Sequence, residues 1–589
     1  GLDRLLACRQ DLERCIAIFR AAGEPTLEGR SWNELGASFK AVGDWTKALA
    51  CYVKDEAICQ AQDDQHGLAA SRNNLGEALN GLGRYAEAER VLAQAVVGFA
   101  AAGDLYEQAD ALANLGNALA GLGRMEEAAA AYRRATHCVE AVRRGIDAPD
   151  ARVGFFGAQT RIYGRRLAFC LAQDRPAEAF YVAEQARARG MLELLGDGLP
   201  QAAPLTAEEA LALLPADTGL LVWFALDAEL VGFALSHESG LQTVHLGIAP
   251  NAVFNGSFDS RGLPRSLTPD LGGQLSDPWL APHLFERLVA PLLAHVSACR
   301  RLVLIPHGSL HWLPLHASLD RRTGRYLYEM YDLLYAPSAA IQLSQLQARR
   351  VDASRRGALA LALQGEALHH VAAEVQDVAR FTGGLSLVGP EATFRALVKQ
   401  GPRFRWLHLA GHAHYLSHAP LQSGVDLADG RLTAEALLAQ SDLGFALAWV
   451  NGCESGRARV HPGDELLGFV RGLLAAVAPS LMLALWPVND LAARVFARLF
   501  YTELMADTEE GRRGMAALLR RACTRMRQVS WADLRHLLQE DGHTEESIAQ
   551  SLALLPRWST SPHAPFAHPY YWAAYFLVGE RWAKPPQTS

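Results

Sequence analysis

The chain is 589 residues long, more than one hydrophobic core can serve, and a prior of about 150 residues per domain predicts three or four. Half of its residues are hydrophobic and a fifth are charged, the proportions of ordinary globular protein rather than of a disordered or fibrous chain. A formal net charge of −7 lacks the basic excess of a general nucleic-acid binder, so no direct nucleic-acid binding is expected.

The first third repeats itself. Leu-Gly recurs at 35–36, 75–76 and 115–116, and the same spacing of 40 links Gly43, Gly83 and Gly123, then Ala48, Ala88 and Ala128. A large apolar residue (Trp45, Tyr85, Met125) stands between the last two columns. Each unit reads as helix, glycine turn, helix: the small residues allow close approach and the large one fills the gap. One such unit cannot bury its apolar face alone, so neighbours must stack into a solenoid. The pattern resembles the tetratricopeptide family, with a period longer than its usual ~34. Gly23, Asp63 and Gly103 share one column, which makes residues 1–22 the second helix of an incomplete unit. Gly1 in place of methionine suggests a trimmed chain, and the solenoid is expected to continue upstream.

Residues 1–149 are therefore expected to be helical repeats and 150–204 a helical continuation and linker. In the latter, Asp174 to Ala179 reads as another turn, Ala179 to Leu195 as an amphipathic helix, and Gly196-Asp-Gly-Leu-Pro200 as punctuation. From about 205 the pattern changes. Gly219–Leu235 reads as a hairpin, Arg301–Pro306 as a fully buried strand, and Arg405–Ala410, Phe445–Val450 and Leu481–Trp486 as further strands, with helical stretches between them. This alternation predicts an α/β domain, a mostly parallel sheet covered by helices on both faces. Val529 to Pro565 lacks a sheet pattern and reads as an inserted helical pair with a loop, either decoration or a regulatory element.

No secretory signal opens the chain. The longest apolar stretch, Gly472–Val488, has 17 residues and contains Pro479, short of the roughly 20 a spanning helix needs. Nine scattered cysteines without Cys-x-x-Cys fit reduced thiols in a cytoplasm and no disulfide framework. A cytoplasmic location and no membrane partner are expected.

Two of the predicted strands end on reactive side chains. Arg405-Trp-Leu-His-Leu-Ala-Gly-His-Ala413 breaks at Gly411 beside His412, and Phe445-Ala-Leu-Ala-Trp-Val-Asn-Gly-Cys453 breaks at Gly452 beside Cys453. Reactive groups gather at the carboxyl ends of parallel strands. Two such ends side by side would hold a thiol within reach of an imidazole, the pair that cysteine-based peptide cleavage needs. A lone cysteine is usually buried and inert. Cys453 differs from the other eight by its polar, glycine-flanked turn, Asn451-Gly-Cys-Glu-Ser-Gly456. His408, His412, His414 and His418 cluster tightly enough to raise a metal site, and a metal-dependent hydrolase, as a rival. No His-Glu-x-x-His and no nearby carboxylate pair completes a familiar ligand set, so neither metal nor cofactor is expected. His408 alternates into the strand and reads as a packed residue. Neither a phosphate-binding Gly-x-x-x-x-Gly-Lys-Ser/Thr nor a Gly-x-Ser-x-Gly elbow is present.

Read together, Trp406-Leu-His-Leu-Ala-Gly-His-Ala413, Pro420 to Gly430, Val450-Asn-Gly-Cys-Glu-Ser-Gly456, Gly463-Asp-Glu-Leu-Leu-Gly-Phe-Val-Arg471 and Leu485-Trp-Pro-Val-Asn-Asp490 resemble the CHAT peptidase family. Leu304-Ile-Pro-His-Gly308, Tyr335-Ala-Pro-Ser338 and His568-Pro-Tyr-Tyr-Trp-Ala-Ala-Tyr-Phe576 extend the likeness over roughly 205–582. These are caspase-like domains commonly fused to tetratricopeptide repeats, and the His-first spacing of 41 lies near the roughly 50 of caspases.

The resemblance implies a caspase–separase fold at 205–585, with a pseudo-peptidase half at about 205–350 and an active half at about 355–585. It implies a cysteine endopeptidase in which Cys453 is the nucleophile and His412 the general base and acid. The oxyanion would be held by the backbone N–H groups of Cys453 and Ala413, donors typically worth about 3 kcal/mol each. Relatives often carry glycine where this chain has Ala413; the donor survives that change, and a methyl would narrow the floor of the site. Trp486-Pro-Val-Asn-Asp490 is similar to the separase segment whose aspartate recognises a P1 arginine. Asp490 is thus a substrate-pocket (S1) candidate and Asp464 a second, each with helix N-capping as its alternative role. The expected partners are a protein substrate and a regulatory protein or effector complex bound by the repeats. Members of the family act in bacterial, including antiviral, defence, and the dyad is expected to stay misaligned until the solenoid is engaged. The alternative is a non-proteolytic scaffold or adaptor with an inactive domain, against which the retention of both His412 and Cys453 speaks.

Overall fold

A computed structural model describes residues 2–145, 149–187, 203–250, 284–349, 351–363, 368–414, 416, 420–440, 443–452, 469–486, 488–507, 514–553, 555 and 563–582. The chain divides into two compact units, Gly1–Arg175 and Pro176–Ser589.

The first unit is a run of antiparallel helices: α1 (Leu2–Ala22), α2 (Pro25–Lys40), α3 (Trp45–Ala61), α4 (Gln65–Gly81), α5 (Tyr85–Ala102), α6 (Leu105–Gly121), α7 (Met125–Arg144) and α8 (Pro149–Ala172). The Leu-Gly column has a steric cause. A Cβ on Gly36 would lie 2.6 Å from the ring of Tyr52, one on Gly76 2.4 Å from Leu92, and one on Gly116 2.9 Å from the ring of Tyr132. The bare backbone of each first helix thus receives a large side chain from its second helix. The large column acts between units: Trp45 covers Gly81 and Tyr85 covers Gly121. Gly23, Asp63 and Gly103 all take positive φ, at 71°, 56° and 70°. Left-handed backbone closes the turn there, and Asp is one of the few residues besides glycine that tolerates it. Asp174, in the further predicted turn, takes φ 53°.

The second unit opens with α9 (Pro176–Gln185). The helix expected from Ala179 to Leu195 therefore starts earlier and ends at Gln185; residues 188–195 lie outside the described residues. The strands follow: β1 (Thr218–Ala225), β2 (Leu230–Ser236), β3 (Gly240–His245), β4 (Arg301–Ile305), β5 (Leu319–Asp320), β6 (Arg325–Tyr326), β7 (Asp332–Tyr335), β8 (Arg356–Ala362), β9 (Leu385–Val388), β10 (Phe404–Gly411), β11 (Ala413–His414), β12 (Gly424–Leu427), β13 (Gly430–Thr433), β14 (Leu447–Gly452), β15 (Leu481–Ala484) and β16 (Tyr575–Val578).

Eleven of them form one sheet in the order β3-β2-β1-β4-β7-β16-β15-β14-β10-β8-β9. Seven of its ten pairings are parallel, which makes the sheet mostly parallel as the sequence predicts. The exceptions are the β1–β2 hairpin, its unforeseen extension β3, and β15 against β16. Side chains alternate between faces along a strand, yet every residue of β2, β14, β15 and β16 is buried, so both faces are covered there. The edge strands β3 and β9 are partly open along their whole length. The closing strand β16 sits mid-sheet, joining β1-β4-β7 to β15-β14-β10-β8-β9.

The helices that matter below are α10 (Val371–Thr382), α11 (Asp490–Ala506), α12 (Met515–Met526) and the inserted pair α13 (Trp531–Glu540) and α14 (Glu545–Ala553). The pair is anchored by charge: buried Arg494 of α11 contacts Asp377 of α10 at 2.8 Å and forms a bidentate pair with Asp541. Among the described residues no helix is long and apolar enough to cross a membrane.

At the carboxyl ends of β1 and β4 the crevice is filled from within. Buried Arg187, just past α9, donates to the carbonyls of Trp223 and Pro306 (2.8 Å to the latter). Glu184 of α9 accepts from the N–H groups of Ala339 and Ala340 after β7, at 3.2 and 3.1 Å.

The packing of the repeats yields a prediction. Gly76→Ala should force a methyl onto fully buried Leu92 and destabilise the helical unit by about 1–3 kcal/mol. The readout is the denaturation midpoint followed by circular dichroism at 222 nm (about the helix minimum).

Candidate functional site

The site is built where β10 and β14 end. The two strands run parallel in the register Trp406↔Leu447 through Ala410↔Asn451 to Gly411↔Gly452. The sequence positions directly after this last pair are His412 and Cys453. His412 is exposed at the strand end. Cys453 and Asp464 lie outside the described residues, so the structure describes one partner of the expected dyad and one of the two S1 candidates.

Gly452 has no room for a side chain. A Cβ there would fall 2.8 Å from the carbonyl oxygen of Gly411 and 2.8 Å from the methyl of Ala413. The Ala413 methyl therefore sits over the end of β14, on the floor of the site. Its amide is oriented by a second, small sheet, β11-β12-β13. Asp426 N–H donates to the His412 carbonyl at 3.0 Å, which makes 412/426 a hydrogen-bonded pair. Ala413, opposite Val425, is then the intervening position, whose N–H turns away from β12. That nitrogen lies 3.3 Å from where a Gly452 Cβ would be, on the side of the β14 terminus.

The histidines diverge rather than converge. His408 is fully buried, with Nε2 2.7 Å from Glu374 Oε1 and Nδ1 3.3 Å from Tyr501 Oη. His414 Nε2 contacts Asp426 Oδ2 at 2.6 Å, and Arg431 holds the other oxygen at 3.0 Å. Burial pulls the Asp426 carboxyl upward, but its bonds to Arg431 and His414 outweigh that and hold it below the usual range. His418 lies outside the described residues. No group of three metal-ligating side chains occurs among the described residues.

A small pocket opens at the carboxyl ends of β10, β14 and β15, lined by Gly411, Asn451, Gly452, Glu374, Val488 and Asp490 among others. Asp490 is the first residue of α11, and the cap of that helix is Asn489, whose side chain accepts from Ala492 N–H at 3.2 Å. Asp490 Oδ2 instead accepts from the N–H groups of His369 and His370, at 2.7 and 3.0 Å, at the start of α10. The capping role weighed for Asp490 thus falls to Asn489; Asp490 instead holds the backbone that leads into α10, and it lines the pocket. Burial lowers the His370 pKa, against the opposing pull of Asp490.

Sequence reasoning did not assign a role to Glu374, Asn451 or Tyr575. Asn451 Nδ2 donates to Glu374 Oε1 at 2.6 Å, and Tyr575 O–H donates to Asn451 Oδ1 at 3.0 Å. Asn451 and Tyr575 stand within quoted motifs. Glu374 sits in an ordinary amphipathic helix, and only its burial, at 1% exposure, singles it out.

Comparison with known proteins matches the CHAT domain to residues 280–580 and the tetratricopeptide repeat to residues 27–99 and 67–140. No curated protein sequence matches the chain. Among solved structures, the separase–securin complex of Saccharomyces cerevisiae aligns with 95% of this chain at 9% identity and TM-score 0.44. This chain spans 53% of that one, about half its length. Nearly identical TPR-like repeats from Podosopora anserina align with 31% of this chain and 85% of theirs, at 18% identity and TM-score 0.25. BtubC (BKLC) of P. vanneervenii aligns with 35% of this chain and 79% of its own, at 18% identity and TM-score 0.26.

Gly452→Ala should be more disruptive than its single methyl suggests, because the Gly411 carbonyl cannot rotate away without breaking the strand pair. We expect a thermal midpoint lowered by several degrees, and Ala413→Gly in the same chain should recover only part of it, since the carbonyl contact remains.

Proposed function

The chain belongs to the CHAT-domain family, its CHAT domain joined to tetratricopeptide repeats, and from that membership we propose that it is a cysteine endopeptidase acting on a protein substrate. The observation that carries the reading is the Gly411↔Gly452 register, after which His412 and Cys453 are the next residues of adjacent parallel strands. In the proposed reaction His412 takes the proton of the Cys453 thiol and the thiolate attacks the scissile carbonyl. The N–H groups of Ala413 and Cys453 receive the developing oxyanion. His412 then returns the proton to the leaving amine, and water hydrolyses the thioester. The orientation of Ala413 away from β12 supports its part in this scheme.

Asp490 is the proposed S1 residue. Its place in the pocket beside Gly411 and Gly452 supports a basic P1 side chain. Its two backbone donors fix the carboxylate in position and engage one oxygen only. Asp464 remains the second candidate on the resemblance alone. The repeats are proposed to bind a regulatory partner that switches the peptidase on, with a role in bacterial defence.

The direct test incubates the wild-type chain, Cys453→Ala and His412→Ala with host lysate and sequences newly exposed protein N-termini. New termini only with the wild type support the peptidase, provided both variants fold; identical termini from all three would point to a scaffold. A second measurement concerns P1. If Asp490 reads a basic residue, cuts should follow Arg or Lys, and Asp490→Asn should lower kcat/KM for them by roughly tenfold or more, the loss of about 1.4 kcal/mol or more of charge complementarity. Cuts after uncharged residues would remove Asp490 from this role.

A further inference from the structure

The deepest polar cluster near the site joins three elements through one carboxylate oxygen. Glu374 Oε1, on α10, accepts from His408 Nε2 on β10 at 2.7 Å and from Asn451 Nδ2 on β14 at 2.6 Å. His408 and Glu374 are 0% and 1% exposed, Asn451 8%. Two tyrosine hydroxyls extend the cluster: Tyr501 Oη of α11 meets His408 Nδ1 at 3.3 Å, and Tyr575 O–H of β16 donates to Asn451 Oδ1 at 3.0 Å. Both ring nitrogens of His408 are thus engaged, Nε2 by the carboxylate and Nδ1 by the Tyr501 hydroxyl. Aromatic rings seal the cluster. Trp449 stacks on Tyr501 at 5.7 Å and Phe496 on Tyr575 at 4.2 Å.

The placement has a consequence for register. His408 pairs with Trp449 and Ala410 with Asn451, so His408 and Asn451 are diagonal neighbours on one face, bridged by Glu374. A backbone ladder alone tolerates a slip of two residues, since the side chains then keep their faces. Here such a slip would strip Asn451 from both Glu374 and Tyr575 and leave buried polar groups unpaired. We propose that Glu374, His408 and Asn451 are positioning residues whose hydrogen bonds lock the ends of β10 and β14 in the register that sets His412 against Cys453. This rests on the dyad reading above; the three residues act through the dyad and take no part in bond making.

The test reads the coupling of His412 to Cys453 without needing a substrate. Alkylation of Cys453 by iodoacetamide at pH ~7 is followed by peptide mass spectrometry in the full chain, with and without His412→Ala. If His412 activates the thiol, His412→Ala should slow alkylation about tenfold, the effect of a thiol pKa lowered by about one unit. In the Asn451→Ala and Glu374→Ala backgrounds His412→Ala should change the rate less than twofold. Glu374→Gln, which keeps an oxygen acceptor for both donors, should restore most of the tenfold effect. Tyr575→Phe removes the hydroxyl that bonds Asn451 while keeping the ring, and serves where the alanine variants do not fold; it should reduce the effect to a few-fold. A lowered thermal midpoint with the full tenfold effect retained would make the cluster mere packing and overturn the proposal. Absence of any His412 effect in the wild type would instead overturn the dyad reading, and this inference with it.

Discussion

The parallel pairing of β10 with β14, ending on two glycines face to face, is the constraint on which the rest of the candidate site depends. Gly452 must be bare because the Gly411 carbonyl and the Ala413 methyl occupy the space a side chain would need. That closeness ends both strands in one small region at the carboxyl edge of the sheet, where reactive groups gather in parallel sheets. The neighbouring elements serve this edge. The β11–β12 pairing turns the Ala413 amide away from its own ladder, and Asp490 ties the start of α11 to the start of α10 across the pocket.

Much of this was legible in the sequence, and the boundary of legibility is physical. The 40-residue columns could be read because each marks a steric requirement: a helix surface too close for a side chain, a turn too tight for ordinary backbone. Tyr52 against Gly36 and Trp45 against Gly81 are those requirements met. The strands around β10 and β14 could be read because central strands buried on both faces are continuous apolar runs. β3 was missed because an edge strand carries no such run; Gly240–His245 is half polar and only partly buried. The placement of β16 between β7 and β15 was equally invisible, since a strand's neighbours are set by long-range packing and not by its own residues.

Within the site, glycine punctuation marked His412, but nothing local marked Glu374. A glutamate at that point of an amphipathic helix reads as solvated, and only the fold reveals that it is sealed between His408 and Asn451. His408 could be read as inward-facing from alternation alone, yet its partner lies 34 residues away on another element. Buried polar clusters of this kind are written in pairs of distant residues, and a single sequence shows each member without the other. Asp490 is the intermediate case. Its motif and its position before a helix were both visible, but not that Asn489 would cap that helix and leave the aspartate to hold a different one.

The two sides of the sheet then explain why chemistry is expected at one crevice and not at its counterpart. Both β4 and β10 are central parallel strands, and the residue after Gly411 and the residue after Pro306 are each a histidine. Around His307 the surroundings are closed: Arg187 occupies the neighbouring carbonyls, Glu184 the amides after β7, and the imidazole itself is buried, stacked on Phe224 at 4.1 Å and accepting from Ala225 N–H. Around His412 the side chain is exposed and a pocket adjoins it. A buried histidine held by backbone hydrogen bonds organises its own crevice and is withheld from solvent, whereas an exposed one at an open strand end keeps its ring nitrogens available for proton transfer. The residues that close the first crevice, Glu184 and Arg187, belong to the segment by which the chain enters this unit at Pro176. The same entry segment therefore fills the crevice at β1 and β4, and the exposed histidine stands in the half of the sheet that follows it.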